Sequence, residues 1–299
     1  MKGAAGAASR PKNDIIAYRI ADYLLRAGLR VLPASKQSEH LALWWGFKFR
    51  PNPSVSKLRS GALIYVDPTD YLQLLIHYLG TFEPHCLRYL KSCVSKGGTV
   101  IDVGANIGVY TLESAIVVGP AGRVISIEAA PSNARLLKQN IELNHMNNVT
   151  VVEVAAGDST GSETLSLPSE GNLGMFSLGS QVGDKFCSVN VRRIDDLLEE
   201  RAISSVDFIR MDVEGSEYRA LRGGTKTLES YRPTILIELN EKALRSCQSS
   251  SKEVKELLAS FGYRGWVIER KTLRPIQSSR SVHDCDECLF IHRDNKMVM

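Results

Sequence analysis

Apolar and polar residues follow two periods along this chain, and the periods take turns. Between Asn13 and Leu32 the apolar positions Ile15, Ile16, Ile20, Tyr23, Leu24, Leu25 and Leu29 recur at helical spacing, with Arg19, Arg26 and Arg30 on other faces. A second helix is expected over Gln37–Trp45, and Arg50-Pro-Asn-Pro-Ser54 breaks the run. Ala62–Val66 reads as a strand, followed by helices over Tyr71–Tyr78 and Phe82–Ser95. Beyond that point the rhythm is regular. Apolar runs near 99–103, 123–128, 149–154, 206–212 and 234–239 alternate with amphipathic stretches near 108–118, 132–144, 216–229 and 252–261. Strands without polar alternation are buried on both faces, so the pattern predicts an α/β fold with a parallel sheet covered by helices on both sides. The Ser- and Gly-rich excursion Ser162–Val191, containing Pro168-Ser-Glu-Gly-Asn-Leu-Gly174, predicts a short hairpin or lid; Tyr263–Ile268 and Cys288–His292 supply closing strands.

The most informative stretch is Val100-Ile-Asp-Val-Gly-Ala-Asn-Ile-Gly-Val-Tyr110, answered by Val124-Ile-Ser-Ile-Glu128. An apolar strand, a small-residue turn opening a helix, and a second strand ending in an acid make a first βαβ unit suited to a nucleoside. Gly104 and Gly108 permit close backbone approach to a ligand, and Glu128 is placed to accept from a ribose diol. A dinucleotide fingerprint needs glycines where this chain has Asn106 and Val109. Asn106 suits the amino-acid end of a methionine-like ligand, and Asp102 can accept from its ammonium directly or through water. The spacing therefore favours S-adenosylmethionine.

A second constellation, Met211-Asp-Val-Glu-Gly-Ser-Glu217, ends the strand before it and faces the same crevice. Methyl transfer to an alcohol needs a base within reach of the hydroxyl proton; Asp212 and Glu214 are the candidates, with Glu214 nearer the acceptor. The plainer reading makes Asp212 a cap for the helix starting near Ser216. Asp158 is either an acceptor for an adenine amino group or a turn carboxylate, and Glu83, in Gly80-Thr-Phe-Glu-Pro84, by itself signals a helix N-terminus. Glu238 and Asn240 could join Asp212 or Glu214 around Mg²⁺, although no metal is expected. His283, Cys285, Cys288 and His292 offer a zinc-like set, but Cys288, Phe290 and His292 also alternate as one face of a strand.

Several blocks in order resemble the FkbM-type methyltransferases: Asp102–Gly108, Gly119–Val124, Glu128–Asn133, Asn140–Asn144, Phe208–Glu217 and Arg232–Glu238. The resemblance runs from about Gly80 to Glu238. It implies a Rossmann-like class I methyltransferase fold with a seven-stranded, mostly parallel sheet whose last strand is antiparallel. It also implies S-adenosylmethionine dependence, a place for Glu83 at the border of the cofactor pocket, and O-methylation of saccharides or polyketide-type products. Ala129 stands where the family usually has proline, and Arg210 where lysine is commoner; an arginine cannot act as a base there.

Charge adds one feature. Residues 1–60 carry eleven Lys/Arg against three Asp/Glu, whereas the remainder carries twenty-six against thirty, so a net charge of +4 conceals a basic N-terminal segment. That segment, with residues 1–79 taken as a helical extension of a catalytic domain at 80–299, is expected to cover the domain. Its apolar stripe around Ile16, Ile20 and Leu24 would pack inward, with Trp44 and Trp45 partly buried. The alternative is weak peripheral contact with anionic lipid or docking of an acceptor. No nucleic-acid module is legible. Six scattered cysteines and the lack of any membrane-length apolar run point to a reduced, cytoplasmic enzyme. The acceptor is expected to be a small molecule or glycan. N-methylation and a non-catalytic scaffold remain open alternatives.

Overall fold

The computed structural model describes residues 12–167, 177–178, 185–270, 272–276 and 285–295, and the side chains at 12–17, 167, 177–178, 185 and 285 are outside the description. The chain opens with α1 (Lys12–Val31) and α2 (Lys36–Phe49), then the antiparallel pair β1 (Ser54–Lys57) and β2 (Leu63–Val66), then α3 (Tyr71–Leu79) and α4 (Pro84–Cys93). Ser35 caps α2 reciprocally with Ser38, and Arg50 ends it in a left-handed conformation just before the Pro51 break.

The sheet is then built as the periodicity predicts. β3 (Thr99–Val103), α5 (Val109–Val118), β4 (Arg123–Ile127), α6 (Pro131–Leu143) and β5 (Val149–Val152) form one half. A four-stranded side sheet follows, in which β6 (Ala155–Ala156), β7 (Gly161–Leu167), β8 (Ser177–Leu178) and β9 (Lys185–Arg192) take the order β6-β9-β7-β8. This is the excursion expected over 162–191; its central motif lies outside the described residues. The second half comprises α7 (Ile194–Glu200), β10 (Phe208–Met211), α8 (Glu217–Arg222), α9 (Thr225–Ser230), β11 (Thr234–Asn240), α10 (Glu241–Ser246), α11 (Ser251–Ser260), β12 (Tyr263–Ile268), β13 (Leu273–Pro275) and β14 (Cys285–His292).

The main sheet has the order β13-β12-β14-β11-β10-β3-β4-β5, eight strands where seven are expected, because the short β13 adds an edge. β14 runs antiparallel to both neighbours, as the family resemblance implies. The single helix expected over 216–229 is two, broken at Gly223–Gly224. A Cβ on Gly223 would lie 1.9 Å from the Gly157 carbonyl oxygen, so the backbones meet where a helix interior would stand. Apolar strand residues divide by parity. Ile101, Ile125, Ile209 and Ile235 pack under residues of α7–α11, and Val100, Val124, Phe208 and Leu236 pack under α4 and α5. Both faces are covered, which is why the strands read as unbroken apolar runs. Cys288 and Phe290 join the first face and Leu289 and Ile291 the second, so β14 is a buried strand. His283 and the Cys285 side chain of the zinc-like set lie outside the described residues.

The N-terminal helices depart from expectation. α1 turns Asp22, Leu25 and Leu29 inward, whereas Ile20 and Leu24 face outward; the Ile16 side chain is outside the description. Polar anchoring sets this rotation. Asp22 Oδ1 accepts from Trp45 Nε1 at 3.1 Å and from the Tyr78 hydroxyl at 2.7 Å. Trp45 is accordingly half-buried, but Trp44 is 58% exposed. One apolar cluster unites Leu58, Ile64 and Ile76 with Ile107, Val109 and Leu112, so the core continues across residues 79 and 80.

Candidate active site

β3 leads on to β4 and β5 on one side, while β10 and β11 lie on the other, so the order reverses between β3 and β10. Open α/β sheets bind ligands at the carboxyl ends of the strands flanking such a reversal. Here a crevice opens, lined along the loop after β3 by Gly104 and Asn106, and by Glu128 and Ala129 after β4. Asn133, Ala155, Ala156 and Leu165 line it further along, with Asp212, Glu214 and Ser216 after β10.

The loop after β3 is held by backbone conformations that its residues tolerate. Gly104 and Gly108 have φ of 79° and 100°, and Asn106 adopts φ 51°, a left-handed conformation asparagine accepts. The glycines serve the fold as much as any ligand. A Cβ on Gly104 would lie 1.8 Å from the Asp212 carbonyl oxygen, and one on Gly108 would lie 2.5 Å from Leu137 Cδ1. The close approaches at these two positions are thus to the neighbouring strand end and to α6.

Glu128 is buried and already engaged. Its Oε2 accepts from the Asn106 N–H at 2.7 Å and its Oε1 from the Ala130 N–H at 2.8 Å. The carboxylate therefore braces the first loop against the turn after β4 and keeps lone pairs facing the crevice. Burial pushes its pKa from 4.5 to about 7, against the two N–H groups that stabilise the anion. Glu217 is similar: its Oε1 accepts from the Val213 and Gly215 N–H groups, and burial raises it to about 7. Both groups have folded pKa values above the unfolded value. Their stabilising effect is complete below about 4.5 and is lost as pH rises through about 7. We therefore expect the melting temperature to fall by about 10 °C or more between pH 5 and pH 8, at about 2–4 °C for each kcal/mol in a domain of this size. Circular dichroism melts check this; a melting temperature that rises over that interval would contradict it.

Asp102 is fully enclosed. Its Oδ2 accepts from the Thr111 hydroxyl at 2.7 Å and its Oδ1 lies 4.0 Å from Arg210, so it does not line the crevice. Burial raises its pKa, with Arg210 opposing. Arg210 is the cation of this region. It donates to the Gly104 carbonyl at 2.9 Å and to Asp212 Oδ2 at 2.6 Å, with its guanidinium 4.5 Å from the Tyr110 ring centre. Burial alone would lower it, but the carboxylates of Asp212 and Asp102 outweigh burial and hold it well above the usual range. Asp212 is no helix cap: it pairs with Arg210, and Glu217 holds the loop instead.

Glu214 sits at φ 50° beside Asp212. Burial, then repulsion from Asp212, Glu238 and Glu217, pushes it to about 9, partly offset by Arg210. Carboxylate oxygens of Asp212, Glu214 and Glu238 lie within 4.8 Å of one another, a spacing that favours protonation of one of them and is compatible with a divalent cation. Asn240 stays apart, capping α10 through the Ala243 N–H. Glu83 accepts from the Tyr110 hydroxyl at 2.7 Å and lies with Glu287 and Cys86 beyond Arg210, outside the crevice lining. Glu287 was not legible as a site residue; its register opposite Glu238 on β11 brings it there. Asp158 is drawn away from the crevice by Arg219, whose Nε lies 3.3 Å from its Oδ1 and which also pairs with Glu163. The adenine-binding reading of Asp158 gives way to an ion pair, and the apolar end of the crevice is formed instead by Ala155, Ala156 and Leu165.

A doubly wound sheet with an antiparallel strand next to its edge hairpin, and with a crevice at its reversal point, defines a Rossmann-like class I methyltransferase fold. The methyltransferase FkbM domain matches residues 102–264, and the chain belongs to that family of S-adenosylmethionine-dependent methyltransferases. It is 27% identical over 210 residues to the 2-O-methyltransferase NoeI of Sinorhizobium fredii, covering 62% of this chain and 84% of the relative. It is 22% identical to a probable cobalt-precorrin-6B C(15)-methyltransferase of Sulfolobus acidocaldarius, covering 66% of this chain and 79% of that one. Among solved structures it is similar to a methyltransferase FkbM of Methylobacillus flagellatus at 19% identity and a TM-score of 0.45, with 94% of this chain covered. It spans 60% of that protein's length, less than two thirds. Among the described residues no helix is long and apolar enough to cross a membrane.

Proposed function

We propose that this chain O-methylates a hydroxyl of a saccharide or secondary metabolite, with Glu214 as the base. The observation carrying this reading is a crevice at the carboxyl ends of β3, β4 and β10 with the clustered carboxylates of Asp212, Glu214 and Glu238 beside it, whose crowding and burial raise the proton affinity of Glu214. The crevice suits S-adenosylmethionine part by part. Ala155, Ala156 and Leu165 offer an apolar slot for adenine, Glu128 accepts from the ribose diol, and Gly104, Asn106 and Asp212 meet the amino-acid end. When bound, the cofactor supplies a methyl group on a cationic sulfonium.

The chain's own residues supply alignment and proton removal. Asp212, fixed by Arg210, presents its unpartnered Oδ1 at the crevice wall. Glu214 accepts the hydroxyl proton as the new carbon–oxygen bond forms, which keeps a poor nucleophile competent. Its raised pKa makes it a strong base once deprotonated, and a neighbouring cation favours that form. Glu238, within reach of Glu214, keeps the pocket acidic and favours hydroxyl-rich, uncharged acceptors over anionic ones. NoeI's name as a 2-O-methyltransferase supports the oxygen acceptor.

Isothermal titration tests the cofactor assignment. S-adenosylmethionine should bind, NAD should not, and Glu128→Ala should weaken binding by about 1–3 kcal/mol, the scale of charge-assisted hydrogen bonds. Unchanged affinity in that variant would remove Glu128 from the cofactor site.

A further inference from the structure

α1 and α2 run antiparallel. Tyr18 near the start of α1 stacks on Phe49 at the end of α2, with ring centres 4.7 Å apart. The inner side of this hairpin rests on α3 through Leu29, Ala42, Leu74 and Tyr78. The outer side is apolar. Ile20, Tyr23, Leu24 and Val31 recur at helical spacing on α1, with Leu24 61% and Val31 85% exposed, and Trp44 and Phe47 stand out from α2. Of the fourteen exposed large hydrophobic residues among those described, eight fall between residues 20 and 47. Such a concentration marks an interaction surface rather than scattered exposure.

The charge around this face selects the partner. Arg26, Arg30 and Arg59 are engaged inside the fold, with Asp22 and with the carbonyls of Lys57, His77, Leu29 and Leu79. Arg19, Lys36, Lys48 and Arg50 remain exposed, and Lys48 Nζ lies 5.0 Å from the Trp44 ring centre. Between residues 18 and 58 no Asp or Glu is exposed. Residues 61–299 carry a net −4, so the positive surplus lies at this end and favours its approach to a negative surface. A second copy would bring like charges together. A nucleic acid would gain nothing from exposed aliphatic side chains on α1. Aliphatic and Trp side chains edged by cations are the composition of a helix lying in a lipid interface.

We propose that the outer face of the α1–α2 hairpin docks on an anionic lipid bilayer, holding the methyltransferase at a membrane surface. This inference goes beyond the catalytic reading and does not depend on it. Co-sedimentation of the full chain with phosphatidylcholine vesicles, with and without phosphatidylserine, tests it at low and high salt. Binding is expected to vesicles containing phosphatidylserine and to fade with salt. Lys48→Glu should reduce it about fivefold or more, the effect of losing one cation at a charged surface. The double change Leu24→Ser with Trp44→Ser should reduce it about tenfold or more. Both variants should keep the parental melting temperature and S-adenosylmethionine affinity, because the altered side chains are exposed and distant from the crevice. Absence of vesicle binding would overturn the proposal. So would binding that ignores phosphatidylserine, retention on RNA instead of vesicles, or self-association abolished by the Leu24→Ser, Trp44→Ser double change.

Discussion

Replacing Glu214 with Gln should lower turnover by about a hundredfold or more while leaving S-adenosylmethionine affinity within a few-fold, the range expected when a general base is lost. The substitution keeps the shape of the side chain and deletes its ability to take a proton. Asp212→Asn should also slow turnover, through a different route, because it disrupts the pair with Arg210 that fixes the wall of the crevice. The pH profile separates the two roles. Glu214 has a pKa raised to about 9, so its basic form is the minor one at neutral pH and the rate should climb as pH rises towards that value. Bound cationic cofactor shifts the climb to lower pH. Glu214→Gln should flatten the profile, whereas Asp212→Asn should keep its slope. If Glu214→Gln retained full activity with the slope intact, the base would lie elsewhere.

Arg210→Met should destabilise the protein by about 3–5 kcal/mol, the cost of leaving a buried charge without its partner. Its guanidinium holds the Gly104 carbonyl, binds Asp212 and stands 4.0 Å from the fully enclosed Asp102. A methionine fills the space beside Tyr110 but satisfies none of these groups. At about 2–4 °C for each kcal/mol, the melting temperature should drop by roughly 10 °C at neutral pH. The sign of the pH effect is also determined. Arg210 opposes the upward push of burial on Asp102, so its removal lets Asp102 take a proton more readily. The drop should therefore shrink as pH is lowered. Arg210→Lys, the residue commoner in the family, keeps a charge but loses the fork and should cost less. A melting temperature unchanged in Arg210→Met would show that Asp102 and Asp212 are compensated by other groups.

Arg210 also shows where reading residues in order reaches its limit. Its position within Phe208–Glu217 was plain, and so was its inability to act as a base. Its neighbours were not, because Asp102 and Gly104 come from a strand more than a hundred residues earlier. The parallel register of β10 on β3, with Arg210 beside Asp102, creates that contact. Glu287 comes to lie opposite Glu238, and beside Glu83, by the same route, through its antiparallel register. Asp158 moved the other way. In Gly157-Asp158-Ser159 it stood in a suitable position after a strand, yet Arg219 from α8 pairs with it outside the crevice.

The sequence by itself determined the parts that depend on local repetition and local backbone geometry. The two periods of apolar residues located the strands and most helices, because burial on both faces of a parallel sheet demands unbroken apolar runs. The Gly-Ala-Asn-Ile-Gly turn and the acid ending β4 located the crevice at the sheet's reversal, because left-handed backbone positions and strand-end carboxylates are encoded within a few residues. Only the tertiary structure decided the rotation of α1 and the proton affinity of Glu214. Ile20 and Leu24 face outward while Asp22 is held inward by donation from Trp45 and Tyr78, and no helical periodicity contains those partners. The proton affinity of Glu214 is raised because the fold partly buries it and sets Asp212, Glu238 and Glu217 around it, and a carboxyl group's charge responds to what surrounds it in space.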